Sequence, residues 1–119
     1  MAPIRYTSSL EEITAQDLNG FFKGWPNPPD EHTHLALLKR SDEVILAVGN
    51  QRNRVVGFIT AITDGILITF IPLLVVLLEY QGRGIRAELI RRMLEQLSSL
   101  YVVDLLCGPG LQQYYERFV

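Results

Sequence analysis

The sequence predicts an α/β domain over residues 1–119, built on a mixed but mostly antiparallel sheet of about five strands with flanking helices. Three observations predict it. The β-branched runs at 44–49 and 55–62 are joined by Asn50-Gln51-Arg52-Asn53, a turn too short for a crossover helix and suited to antiparallel neighbours. From Gly84 the apolar period becomes helical, with Ile85, Leu89, Met93 and Leu97 four apart. A length of 119 residues, 48% of them apolar, supports one core of ordinary size.

The elements follow in order. Residues 4–8 alternate well enough for a first strand, and Thr14 with Asp17 forms a capping-box pattern that predicts a short helix through Phe22. Gly24-Trp25-Pro26-Asn27-Pro28-Pro29 is a rigid loop, because proline has no amide to donate and restricts the residue before it. A second helix is expected from Pro29 or Asp30 to Arg40, with Leu35, Ala36 and Leu38 inward. After the strands at 44–49 and 55–62, Asp64-Gly65 marks another hairpin. Residues 66–78 read as one long central strand covered on both sides, with Pro72 breaking its ladder. The helix from Gly84 carries Glu88 with Arg92 and Arg91 with Glu95 on its outer side. A strand at 101–106 and a short helix at 111–118 complete the set.

Composition narrows the function classes. Eleven Lys and Arg against thirteen Asp and Glu leave a net charge of -2, which gives no general attraction to nucleic acid or anionic lipid. The single cysteine, Cys107, excludes a disulfide framework and fits a reducing, cytoplasmic location. The run at 66–78 is short of the ~20 apolar residues that span a bilayer, and the first residues lack an apolar signal core, so neither membrane nor export is expected. His32 and His34 sit two apart, without metal-ligand spacing on a helix, so no metal is expected and both read as solvated surface.

The chemistry concentrates in Glu79-Tyr80-Gln81-Gly82-Arg83-Gly84-Ile85-Arg86, where a strand feeds a glycine turn that opens a helix. Amides at a helix start lack intrahelical partners and converge on a point where a phosphate can sit, and Gly82 and Gly84 remove the Cβ atoms that would hold it away. Arg83 and Arg86 add positive charge. The plain alternative is a turn chosen for its geometry alone. Gly82-x-Gly84-x-x-Ala87, with Asp104 farther on, also satisfies a dinucleotide-binding pattern, although Glu79-Tyr80-Gln81 separate the strand from the first glycine.

The segment resembles the signature of the GNAT acyltransferases: Arg or Gln, two residues, Gly, one residue, then Gly or Ala. Gln81, Gly84 and the preceding Glu79-Tyr80 match it, and Tyr114-Tyr115-Glu116-Arg117-Phe118 resembles the family's last block. The resemblance implies an N-acetyltransferase moving an acetyl group from acetyl-CoA to a primary amine on a small molecule or peptide. It implies that Val75 and Val76 line the pantetheine arm, that Gln81, Gly82, Arg83, Gly84, Ile85 and Arg86 bind the pyrophosphate, and that an amide near Val76 holds the oxyanion. It also implies Trp25, Asp30 and Glu31 as acceptor contacts and Tyr115 as the proton donor to the thiolate. A Tyr near pKa ~10 protonates a thiolate whose acid is near ~8.5 only uphill, so the local field or water must assist.

Four positions depart from the family pattern. Arg86 stands where Gly or Ala is usual, and Leu78 where Pro is usual; no carboxylate occurs at 66–78; and the sequence ends at Val119, where the family continues into one or two more strands. Without that carboxylate, the amine's proton must leave through water or a backbone carbonyl. The early end implies an exposed sheet edge through which a homodimer would form. A catalytically weak binding or interaction protein of the same fold is the first alternative reading, and a dinucleotide-dependent oxidoreductase the second.

Overall fold

The computed structural model describes residues 3–49, 53–66 and 69–97. Its sheet comprises β1 (Arg5–Thr7), β2 (Glu43–Val48), β3 (Val55–Thr63), β4 (Thr69–Phe70) and β5 (Leu74–Val76), and every pairing is antiparallel. β3 is the hub: β2 runs along one side, while β4 and β5 share the other. Helices α1 (Glu31–Arg40) and α2 (Ile85–Gln96) flank the sheet. The expected strand at 101–106 and helix at 111–118 lie outside the described residues. Among the described residues no helix is long and apolar enough to cross a membrane.

The central strands lack a polar face because both of their faces are covered. Val44, Leu46 and Val48 of β2 pack with Leu38 of α1 and Phe58 of β3, whereas Ile45 and Ala47 pack with Leu89, Ile90 and Met93 of α2. Period-2 alternation sends successive side chains into two separate cores. At the β2 end one step from Ala47 to Val48 faces two steps from Gly57 to Val55, so Val56 is the extra residue of a β-bulge. The bulge puts Val56 on the α2 face, where Gly57 already lies by alternation with Ile59 and Ala61. A Cβ at Gly57 would lie 3.3 Å from the Val75 carbonyl oxygen, 3.3 Å from Val76 Cγ2 and 3.4 Å from Ile85 Cγ2.

The apolar run at 66–78 is not one strand. Ile59 faces Leu74 and Ile62 faces Phe70, so three steps along β3 oppose four along the other chain segment. Pro72 lies in the surplus stretch, where it has no amide to give to the ladder. The ends of the run also escape burial: Ile66 is 68% exposed and Leu78 is 80% exposed.

The first predicted helix shrinks to a 3₁₀ turn, Ala15–Leu18. Its capping pair forms as expected, with the Thr14 amide donating to Asp17 Oδ2 at 2.8 Å. Asn19 is then extended, and Gly20 (φ 99°) and Phe22 (φ 64°) are left-handed, so no helix can continue to Phe22. Helix α1 begins where expected, with Asp30 as its N-cap accepting from the Thr33 amide at 2.7 Å. Leu38 is buried and Leu35 partly buried as expected, but Ala36 is exposed and His34 takes the other buried place. The outer face of α2 holds both expected pairs, Arg92–Glu88 at 2.6 Å and Arg91–Glu95 at 2.8 Å, with a third between Arg91 and Glu88.

Because Gly57 is pinched between β5 and α2, Gly57→Val is expected to destabilise the fold by about 1–3 kcal/mol through overpacking. The measurement is the urea midpoint with its slope; an unchanged midpoint would show that the contact carries no strain.

Candidate functional site

The site is built from the exit of β5. Leu77 donates its amide to the Val56 carbonyl at 2.8 Å, and the chain then makes a 3₁₀ turn, Leu78–Tyr80, with the Gln81 amide on the Leu78 carbonyl at 3.2 Å. Gly82 and Gly84 follow, each at φ 81°, a backbone state that side-chain-bearing L-residues rarely adopt. Gly84 is the N-cap of α2, and its carbonyl accepts from the Glu88 amide at 3.1 Å. Between those two bonds, the amides of 82–87 have no hydrogen-bond acceptor among the described residues. Nothing lies within 4 Å of the position a Cβ would take at Gly82 or Gly84, so the main chain is open to approach.

These amides border a cavity of about 340 Å³ lined by Val76, Tyr80, Gln81, Gly82, Gly84, Ile85, Arg86 and Ala87. Ile85 is buried and anchors the loop to the sheet; Arg86 is half-buried and Arg83 is exposed, its guanidinium 4.9 Å from the Tyr80 ring centroid. Free amides at a helix start with two arginines make a donor set for a diphosphate. Gln81 has a further role that its motif position does not reveal: its Nε2 donates to the Val76 carbonyl at 3.1 Å, tying the loop back to the strand.

The ladder fixes where Val76 points. The Leu77 amide bonds to Val56 and the Thr60 amide to Leu73, so Gly57–Val76 and Ile59–Leu74 are the non-hydrogen-bonded pairs of β3 and β5. The amides and carbonyls of Leu74 and Val76 therefore point away from β3. With its carbonyl taken by Gln81, Val76 keeps an amide directed to the free side of β5, where no strand pairs among the described residues.

A second cavity, of about 410 Å³, also reaches Val76. Its walls include Gly20, Phe22, Lys23, Trp25, Arg54, Val75, Leu77, Leu78 and Glu79. Val76 is the one described residue common to both cavities. Trp25, 49% exposed, lines this cleft. Asp30 and Glu31 do not share it; they line a neighbouring pocket of about 430 Å³ behind the segment 19–24. The Thr33 amide, and then its hydroxyl, hold the Asp30 carboxyl below the usual carboxylate range, so Asp30 is committed to capping α1. Tyr115 lies outside the described residues.

His34 also borders that neighbouring pocket, and it corrects the surface assignment: it is 1% exposed. Its ring lies 4.8 Å from Phe22, 5.3 Å from Phe21 and 4.7 Å from Phe58, and Nε2 has no hydrogen-bond partner. Burial among these rings pushes its pKa down to about 4. On α2, hydrogen bonds from Arg91 and Arg92 hold Glu88 down to about 2, away from both cavities.

The dinucleotide pattern needs its first glycine directly after a strand. Here the 3₁₀ turn Leu78–Tyr80 separates β5 from Gly82, and the strand that would complete a parallel unit lies outside the described residues. Sequence reasoning missed Arg54 and Gly57. Nothing local shows what either packs against; a glycine inside a β-branched run signals only that something comes close.

Residues 10–118 match the family model described as acetyltransferase (GNAT) family. A candidate acetyltransferase from Deinococcus radiodurans R1 superposes with a TM-score of 0.88 at 42% identity, over 97% of this chain and 80% of that one. A GNAT-family acetyltransferase from Streptococcus pneumoniae TIGR4 superposes with a TM-score of 0.70 at 25% identity, over 98% and 85%. A ribosomal-protein-alanine N-acetyltransferase from Brucella melitensis biovar Abortus 2308, at 18% identity and a TM-score of 0.69 over 100% and 91%, shares the fold. No curated protein sequence matches.

The buried imidazole sets an acid sensitivity. Unfolded, His34 titrates near the ordinary 6.5; folded, near 4. Between those values the unfolded chain binds more protons, so stability falls as pH drops from about 6.5 toward 4. His34→Phe is expected to remove that part of the loss. Urea midpoints of both proteins at pH 7 and 4.5 check it, and equal losses in the two would refute it.

Proposed function

Because the chain belongs to the acetyltransferase (GNAT) family, we propose that it transfers an acetyl group from acetyl-CoA to a primary amine by direct attack. The observation that carries this reading is the position of Val76 between the loop cavity and the cleft behind Trp25, its amide turned away from β3. Two reactants, one entering from each cavity, would meet there.

Acetyl-CoA supplies a diphosphate to anchor, a pantetheine arm, and a thioester with an electrophilic carbonyl carbon and a thiolate leaving group. The free amides from Gly82 to Arg86, with Arg83 and Arg86, suit the diphosphate, and the Gln81–Val76 bond sets the loop at a fixed distance from β5. The Val75–Val76 backbone would accompany the pantetheine arm, and the Val76 amide would stabilise the oxyanion. Trp25 would flank the acceptor, with Asp30 and Glu31 reaching it only from the adjoining pocket. In the reaction the amine nitrogen bonds the acetyl carbon and the carbon–sulfur bond breaks. The electron pair passes to sulfur, which takes a proton from Tyr115 or water, while the amine's proton leaves to water. A small molecule or a peptide end would serve as acceptor, in a cytoplasmic setting that the single Cys107 fits.

Titration with CoA is expected to raise the thermal midpoint, whereas NAD leaves it unchanged. Gly84→Val, which forces a branched side chain into a left-handed N-cap, is expected to weaken CoA binding at least tenfold. Free-thiol release from acetyl-CoA with a panel of primary amines is the direct test. CoA binding without release above the blank for any amine would overturn the catalytic reading.

Arg86 separates two views of the loop. If its guanidinium meets phosphate, Arg86→Gln lowers CoA affinity roughly tenfold and flattens the salt dependence of binding. An affinity that rises instead would mark Arg86 as an obstruction.

A further inference from the structure

The cleft on the Trp25 side of Val76 is lined by a half-buried cation, Arg54. Arg54 opens β3's approach to the cleft, is half-buried, and makes no side-chain hydrogen bond or ion pair among the described residues. Arg91 and Arg92 pair with Glu88 and Arg5 donates to Asn53, whereas Arg54, like Arg83 and Arg86 at the loop, is left with its donors unused among the described residues. The seat of Arg54 is built into the backbone. Gly20 is left-handed at φ 99°, and a Cβ there would come within 3.2 Å of an Arg54 terminal nitrogen and 3.5 Å of Leu77 Cδ2. The positive φ calls for glycine at position 20, and the absent side chain leaves room for the Arg54 terminus in a cavity that Leu77 and Val76 also line.

The remaining charges of the cleft are Lys23 and Glu79, both exposed on its rim, so the lining has two cations against one carboxylate. A diamine or polyamine would meet net repulsion there. A planar guanidinium presents parallel donors that match a carboxylate, and in a half-dry site such a bond is strong. Trp25 at 49% exposure and Leu78 at 80% are large apolar side chains left open on the same cleft. They suit an apolar or aromatic substituent.

We propose that Arg54 anchors the carboxylate of the acceptor, and that the acceptor is a free α-amino acid with an apolar or aromatic side chain. Its part in catalysis rests on the acetyl-transfer reading; its part in binding does not. In the transfer the α-amino nitrogen takes the acetyl carbon, the sulfur leaves with the electron pair and is protonated, and the carboxylate stays on Arg54 throughout.

The test is equilibrium binding by calorimetry, with and without saturating CoA, using L-phenylalanine, its amide and 2-phenylethylamine. L-Phenylalanine is expected to bind roughly tenfold to a hundredfold more tightly than the other two, the range set by one charge-assisted contact. Arg54→Gln should abolish that preference and Arg54→Lys should retain a part of it. Equal binding of the three probes by the unaltered protein, which includes no binding of any, overturns the proposal without recourse to a variant. Arg54→Gln that folds to the same thermal midpoint and still prefers L-phenylalanine overturns it too. Thiol release is read separately: L-phenylalanine bound with the expected preference but not acetylated leaves the Arg54 site standing and sinks the activity.

Discussion

The site depends on one narrow contact, the approach of β5 and the first turn of α2 to Gly57. With no Cβ on β3 at that point, Val76 sits opposite Gly57 and Ile85 presses onto the same spot. A larger residue would lift either the strand end or the helix start, and the loop that joins them would follow. Ile85 is 2% exposed and Val76 is 4% exposed, so the two ends of the loop are anchored by burial, with the Gln81–Val76 hydrogen bond as a polar tie between them. The loop itself is then free to leave its amides unpaired, since its position does not depend on them.

That arrangement explains why the glycines of the loop are not interchangeable with other small residues. Gly82 and Gly84 lie in open space, so what each supplies is a left-handed backbone. Two such residues flanking Arg83 turn the chain from the 3₁₀ turn into α2 within a few residues, and the turn leaves the amides of the first helical turn facing outward. Gln81 closes the unit by bonding the Val76 carbonyl, which removes an acceptor from the free side of β5 and leaves the donor. The same strand end therefore offers a hydrogen-bond donor without an acceptor beside it, a polarity suited to a developing negative charge.

Much of this was legible because its determinants are local. The turn glycines, the four-residue period of α2, the Asp30 cap and both hairpin signals each act within a few residues, and each appears near its expected place. The run at 66–78 was legible only in part: Pro72 announces a break, but the register arithmetic that makes it a bulge comes from the partner strand. His34, Arg54 and Gly57 were not legible, for a common reason. Their roles are set by residues distant in sequence: Phe58 beside His34, Gly20 under Arg54, and Val76 with Ile85 over Gly57. A polar residue on a helix with two other polar neighbours gives no sign that it faces inward. An arginine after a turn gives no sign that it lacks a carboxylate.

The other wall of the site is held from the opposite face of the same strand. Phe22 adopts φ 64°, a state that costs a residue with a side chain about 1–2 kcal/mol. It is nonetheless 6% exposed, with its ring centroid 4.8 Å from His34, 4.8 Å from Trp25 and 6.2 Å from Phe58. Burial of a phenylalanine returns about 1.5–3 kcal/mol, enough to offset the strain. Phe22 thereby pins the segment 19–25 to the α1 side and leaves Trp25 against the cleft. Gly57 and Phe58 are adjacent on β3, one directed to α2 and the loop, the next to the aromatic segment. A register slip of one residue would exchange those faces and pull both walls out of place at once. The spacing between loop cavity and cleft is for that reason a property of the β3 register, set before any residue of the site makes a polar contact.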